Sequence, residues 1–214
     1  METAERVRNP YKKGIYTYIF RHPMSFFDDT KNAGLLLLII ALMDIAFALI
    51  SIFALEDYKD LEMWKKILVI VGAVIGAAIL ALLGFGIMKG GVAFQIGPFF
   101  SDVKSKFGVL VAGTAGIGIA DLVEGIFNII AFGGTSVGSL VIAVILLVMA
   151  WLMVSGGKVA GNVIWIILLI IYIIGIIVSA IASLVLVGIP SLLLFIMLLL
   201  FLLSPEVKSK MGMN

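Results

Sequence analysis

Apolar residues run along this chain in long blocks, and charge is confined to the short stretches between them. The block Gly34–Leu55 is uncharged apart from Asp44, and Ile67–Met88 carries no charge at all. The block Phe107–Phe132 holds Asp121 and Glu124, and the blocks Val137–Val154 and Val163–Leu186 are uncharged. A last block, Gly188–Leu203, is the shortest. Roughly 20 apolar residues in helical form cross the ~30 Å hydrocarbon core of a bilayer. The pattern therefore predicts an all-α, polytopic transmembrane helical bundle of about six spans. Gly188 and Pro190 separate the last two blocks as turn-forming residues. Merging those blocks into one bent segment gives the five-span alternative.

The basic residues choose between the two. With six spans and the N-terminus inside, the cytoplasmic segments hold Arg6, Arg8, Lys12, Lys13, Arg21, Lys31, Lys89, Lys104, Lys106, Lys158, Lys208 and Lys210. The outer segments hold Lys59, Lys65 and Lys66. That asymmetry follows the positive-inside rule, and an odd span count would export Lys208 and Lys210. Six spans are favoured, with both termini cytoplasmic. Trp64, Trp151 and Trp165 fall near span ends, where interfacial aromatic rings belong. The chain divides into a cytoplasmic or interfacial segment at 1–33, a transmembrane domain at 34–203 and a short cytoplasmic tail at 204–214.

Composition supports the same class. Hydrophobic residues make up 63% of the 214 and charged residues 13%, against about 45–50% and 25% in soluble domains. A bilayer is the solvent for such a chain, and the location expected is multi-pass membrane, the plasma membrane in a prokaryote. The net charge of +2 and scattered basic residues give no nucleic-acid surface. The absence of Cys excludes disulfides, thiolate metal sites and Cys nucleophiles. Residues 1–33 mix both charge signs and have no apolar run, so no signal peptide is expected. Within them, Tyr11 to Arg21 mixes basic and aromatic residues, which suits either anionic lipid at the cytoplasmic surface or an ordinary anchor before the first span.

The acids inside the spans carry the chemistry. An ionised carboxylate near a helix centre costs roughly 2.5–3.5 kcal/mol, so Asp44, Asp121 and Glu124 should face the bundle interior or a wet cavity. At 100° per residue, Thr114, Asp121 and Asn128 share one helix face, with Glu124 one turn from Asp121. Asp44 aligns with Ser51 and is flanked by Ala41 and Ala48. No Lys, Arg or His lies within any span to pair with these acids. A bound proton or a bound cation are the ways to neutralise them. Three readings remain open: a proton or ion site, protonated acids serving as interhelical glue, and acids lying shallower than the blocks suggest.

Small residues and turn segments add detail. Gly72 and Gly76 form a small-xxx-small step for close approach of a helix, from this chain or a second copy. Gly113, Gly116 and Gly118 suit close packing or a bend. Two juxtamembrane stretches are alike: Phe26, Phe27, Asp29 and Lys31 before the first span, and Phe99, Phe100, Asp102 and Lys104 before the third. Each follows a Pro, which suggests a parallel repeat whose Phe pair dips into the interface. The alternative is a chance match. Gly156-Gly157-Lys158 lacks the other residues of a phosphate loop, and His22 is the chain's only histidine.

The stretch Pro23-Met24-Ser25-Phe26-Phe27, followed by a short polar stretch and a hydrophobic bundle, resembles the Yip family of small polytopic membrane proteins. That resemblance implies membrane organisation or trafficking and no defined reaction, and it assigns no functional residue. The leading expectation is thus a non-enzymatic multi-pass protein that organises or binds membrane components. The alternative is a proton or small-cation carrier or channel using Asp44, Asp121 and Glu124. No cofactor or metal site is expected. The expected partners are the lipid bilayer, anionic lipid at the N-terminal segment, and other membrane proteins or a second copy.

Overall fold

The structure is a computed structural model that describes residues 29–54, 58–90, 98–133, 137–156, 158–185 and 188–213. Among the described residues it is all-α, with seven helices: α1 (Thr30–Ala54), α2 (Met63–Met88), α3 (Lys106–Phe132), α4 (Val137–Ser155), α5 (Lys158–Ala182), α6 (Ile189–Leu202) and α7 (Pro205–Lys210). Helices are the form this sequence demands, because in hydrocarbon every backbone N–H and C=O must be satisfied within its own segment. The ends are marked by local chemistry. The Ser105 side chain caps α3 by accepting from Gly108 N, and Gly133 ends that helix at a φ of 76°. Ser204 caps α7 by accepting from Val207 N, with Pro205 in the first turn.

The first five helices are long and apolar enough to cross a membrane. The sixth expected span corresponds to α6, which has 14 residues. At 1.5 Å per residue it is about 21 Å long, shorter than the ~30 Å core. It is nevertheless a helix of its own and not the continuation of α5. Gly188 permits the reversal: a Cβ there would clash with Ser179 O and Ser183 N, so the returning chain lies directly on the end of α5.

Successive helices pack antiparallel, and glycines set the crossings. Gly34 and Gly84 face each other where α1 meets α2. Gly72 lies against Phe127 and Gly76 against Glu124 where α2 meets α3, so the small-xxx-small step is filled by this chain's own helix. Gly118 meets Leu147 of α4, and Gly175 of α5 meets Phe195 of α6. Gly113 and Gly116 sit under Leu198 and Leu83 within an unbroken helix, so the glycines of α3 serve packing and not a bend.

α3 is the centre. In its most apolar window 67% of residues are buried, against 28% in α1, α4 and α5. Its half nearest Lys106 is sealed, with Val109, Leu110, Ala112 and Ala115 wholly enclosed. α5 shows the opposite character: Ile166, Ile170, Ile174, Ile177 and Ile181 are exposed, a face suited to lipid tails.

The antiparallel order puts the start of α1, the end of α2, the start of α3 and the end of α6 at one end of the bundle. Lys31, Lys89, Lys104, Lys106, Lys208 and Lys210 belong to that end, and Lys59, Lys65 and Lys66 to the other. The segment 204–214, expected as a plain tail, folds back as α7. Val207 and Met211 are buried, and Gly161 leaves no room for a Cβ beside Met211 O. With its amide turned to donate, Asn162 reaches Met211 O and Gly212 O at 3.0 and 2.9 Å. Trp165 is buried, in contrast to the interfacial position expected for it. Its Nε1 donates to Leu202 O at 3.0 Å, and Lys208 lies over its ring. Trp64 and Trp151 are exposed near their helix ends.

Candidate functional site: an acid-lined well

Asp44 on α1 and Asp121 and Glu124 on α3 converge. A cavity of about 230 Å³ is lined by Asp44, Ser51, Tyr58, Glu124, Asn128 and Ser191, together with Phe47, Ala48, Val69 and Ala73. A second, of about 80 Å³, is lined by Asp44, Asp121, Glu124 and Ser191 beside Leu80, Ile117, Ala120, Leu194 and Phe195. The two share Asp44, Glu124 and Ser191, so they adjoin. Asp121 lies about 16 Å and Glu124 about 12 Å along the axis from the Phe132 end of α3, near mid-bundle. The larger cavity extends toward the end that carries Tyr58. The enclosed stretch of α3 from Val109 to Ile117 lies on the other side. Among the described residues the arrangement is a well whose wider cavity lies toward the lysine-poor end, with the closely packed half of α3 below Asp121.

Three features define its chemistry. Among the described residues no hydrogen bond or ion pair joins the three carboxyls to another protein group. Asp121 shares the lining of the smaller cavity with both Asp44 and Glu124. Among the described residues no three acidic, His or Cys side chains gather closely enough to hold a metal ion. Glu124 is seated by Gly76, whose missing side chain leaves the space its carboxyl occupies. Ser51, expected beside Asp44, lines the well while its hydroxyl donates to Phe47 O at 2.7 Å.

Thr114 is not part of the well. Its hydroxyl donates to Leu110 O at 2.7 Å, and Tyr172 OH lies 2.6 Å away, with both residues wholly buried. Seven residues toward the sealed end carry Thr114 about 10 Å below Asp121, to the level where α5 crosses. Intramembrane hydrogen bonds contribute about 0.6 kcal/mol on average and up to about 1.7. Tyr172→Phe is therefore expected to lower stability by about 1 kcal/mol, read by denaturant titration in detergent. Tyr58, Phe47 and Ser191 also line the well, beyond the residues expected from the sequence. Ser191 had a signal, a lone hydroxyl between Pro190 and an uninterrupted apolar run.

The two juxtamembrane stretches share one local bond. Asp29 Oδ1 accepts from Lys31 N at 2.9 Å, and Asp102 Oδ1 accepts from Lys104 N at 3.2 Å. Phe26 and Phe27 lie outside the described residues. Phe100 is buried within the protein and meets Phe99 edge-on at 6.4 Å, so the second pair does not dip freely into the interface. Asp102 also accepts from the Ser105 hydroxyl and from Ser105 N, and Lys210 Nζ approaches to 3.8 Å. The Ser105 hydroxyl first, then the Ser105 and Lys104 amides and the Lys210 charge, hold Asp102 below the ordinary carboxylate value of 3.8. A lowered folded value means that this contribution is complete above 3.8 and is lost as pH falls through the lower one. The protection of the 205–213 amides, taken relative to their intrinsic exchange rate at each pH, is expected to stay constant from about pH 8 to 5 and to fall slightly only below about pH 4.

The fold and the apolar helices define a multi-pass helical membrane protein. Comparison with protein-family models, curated proteins and solved structures finds no match. The residues that carry the likeness to the Yip family, Pro23 to Phe27, lie outside the described residues.

Proposed function

We propose that this chain carries protons or small hydrated cations through the acid-lined well. The observation that carries the reading is the convergence of Asp44, Asp121 and Glu124, without partners among the described residues, on adjoining cavities at mid-bundle. Acids serving as interhelical glue would bond to one another or to a neighbouring helix. Among the described residues no three acidic, His or Cys side chains gather as a metal site would require, which favours a proton, or a cation that keeps part of its water. In this reading the chain crosses the bilayer six times. The lysine-rich end and both termini are cytoplasmic, and α6 crosses a locally thinned bilayer. No bond of a substrate is made or broken, so the protein is not an enzyme.

The test is flux in reconstituted vesicles under a pH or cation gradient, comparing wild type with the Asp121→Asn/Glu124→Gln double variant. Wild-type flux that the double variant loses supports carriage. Equal absence of flux in two well-folded proteins overturns it and returns the reading to organisation of other membrane components, the role implied by the Yip resemblance.

A further inference from the structure

We propose that the groove at the lysine-rich end, between the segment 98–105, the start of α3 and the end of α4, binds the headgroup of a zwitterionic phospholipid bearing a primary amine. This cavity, of about 330 Å³, is larger than either cavity of the well. Its rim is polar and carries both charge signs, from Ser101, Asp102 and Lys210, and its floor is apolar, from Phe107, Val111 and Met153. It lies at the helix ends, where a bilayer changes from acyl chains to headgroups.

The anion of the pair is fixed. Asp102 is held by hydrogen bonds from the Ser105 hydroxyl and from the amides of Lys104 and Ser105. Those bonds favour its charged form. Gly108 lets this turn lie on the helix, because a Cβ there would overlap Asp102 O. The cation is held by longer contacts. Lys210 reaches over from α7, with its Nζ 3.8 Å from Asp102, 3.5 Å from Ser105 Oγ and 5.3 Å from the centre of the Phe107 ring. Both side chains are about half exposed, and an exposed ion pair of this kind contributes little to stability. Opening it costs little.

A headgroup with an ammonium and a phosphate side by side replaces the pair with two of the same kind. Its ammonium donates to Asp102, and Lys210 turns to the phosphate, which a lysine binds as a point charge. The glycerol and first methylenes then cover the floor of Phe107, Val111 and Met153. Asp102 gives the site its selectivity. An anionic headgroup brings no cation for the carboxylate and is repelled by it. A trimethylated amine has no N–H to donate. A like charge or an unpaired partner is the usual means of rejecting the wrong ligand.

The experiment is native mass spectrometry of the full chain, delipidated and then supplied with equal amounts of phosphatidylethanolamine, phosphatidylcholine and phosphatidylglycerol. Thermal stability is followed with each lipid. Wild type is expected to retain one phosphatidylethanolamine in preference to the others and to melt higher with that lipid. Asp102→Asn keeps the turn, because its Oδ1 still accepts from the Lys104 and Ser105 amides and its Nδ2 donates to the Ser105 oxygen where Oδ2 accepted. It is expected to retain phosphatidylethanolamine about tenfold less while melting as wild type does without lipid. Lys210→Gln is expected to weaken retention of every phosphate lipid and leaves Asp102 and its turn in place. Equal retention of the three lipids by wild type, preference for phosphatidylglycerol, or undiminished selectivity in both variants overturns the proposal. It stands apart from the flux test, since neither residue touches the well.

Discussion

With Asp44 replaced by asparagine, the protein is expected to insert and fold normally and to carry at most about a tenth of the wild-type flux. Asp44 is the contribution of α1 to both cavities, facing Asp121 and Glu124 from the neighbouring helix. A hydrogen bond to a charged group contributes roughly 1.5–3 kcal/mol, and about 1.4 kcal/mol is a tenfold change in an equilibrium constant. Asparagine keeps the size and the hydrogen-bonding capacity of the side chain but can neither take up a proton nor balance a cation. Stability should move the other way. Among the described residues the carboxyl has no protein partner to lose, and an intramembrane acid is costly to insert. An unchanged or raised melting temperature together with lost flux is the signature of a working site maintained against stability. Loss of flux with a parallel loss of folded protein would instead make Asp44 a packing residue.

Gly84→Val is expected to prevent correct docking of α1 on α2. A Cβ at Gly84 would lie 2.6 Å from Gly34 O, and one at Gly34 would lie 2.5 Å from Gly84 O. Both obstacles are backbone, so no rotamer change relieves them. The helices must separate, and overpacking of this kind costs about 1–3 kcal/mol. The same crossing places Asp44 opposite α3, so flux and folded yield should fall together. Gly138→Ala is the control: a Cβ there meets nothing within 4 Å, and alanine is the better helix former by up to about 1 kcal/mol. Its yield and melting temperature should equal or exceed those of wild type.

Much of the fold is legible in the sequence because hydrocarbon permits so few solutions. A run of apolar residues has to be helical, and the runs ending at Met88 and Phe132 end as helices at those residues. Starts are harder to read. α1 begins at Thr30 and α5 at Lys158, each several residues before its apolar block, because polar residues extend a helix beyond the hydrocarbon with no hydropathy signal. α7 leaves still less trace. Its docking rests on Val207, Met211 and carbonyls held by Asn162, and no periodic pattern encodes those contacts. For the site, the shared face of Asp121, Glu124 and Asn128 follows from helical geometry alone, and α1 supplies Asp44 as its cost in lipid requires. Thr114 shows the limit of that argument. One helix fixes a direction, but the helix crossing at each level decides whether that direction meets a cavity or a tyrosine.

In the proposed carriage, the side chains packed beneath Asp121 also set the electrical profile of the protein. A transmembrane voltage falls mainly across the region from which water is excluded, here the stretch of α3 between Val109 and Ile117. Charge entering from the lysine-poor side would therefore reach the carboxyls after crossing only a minor part of the field. A full elementary charge crossing 100 mV exchanges about 2.3 kcal/mol, and most of that would be gained or lost in the last step past those packed side chains. Occupancy of the acids should then respond weakly to voltage, and the rate of onward passage strongly.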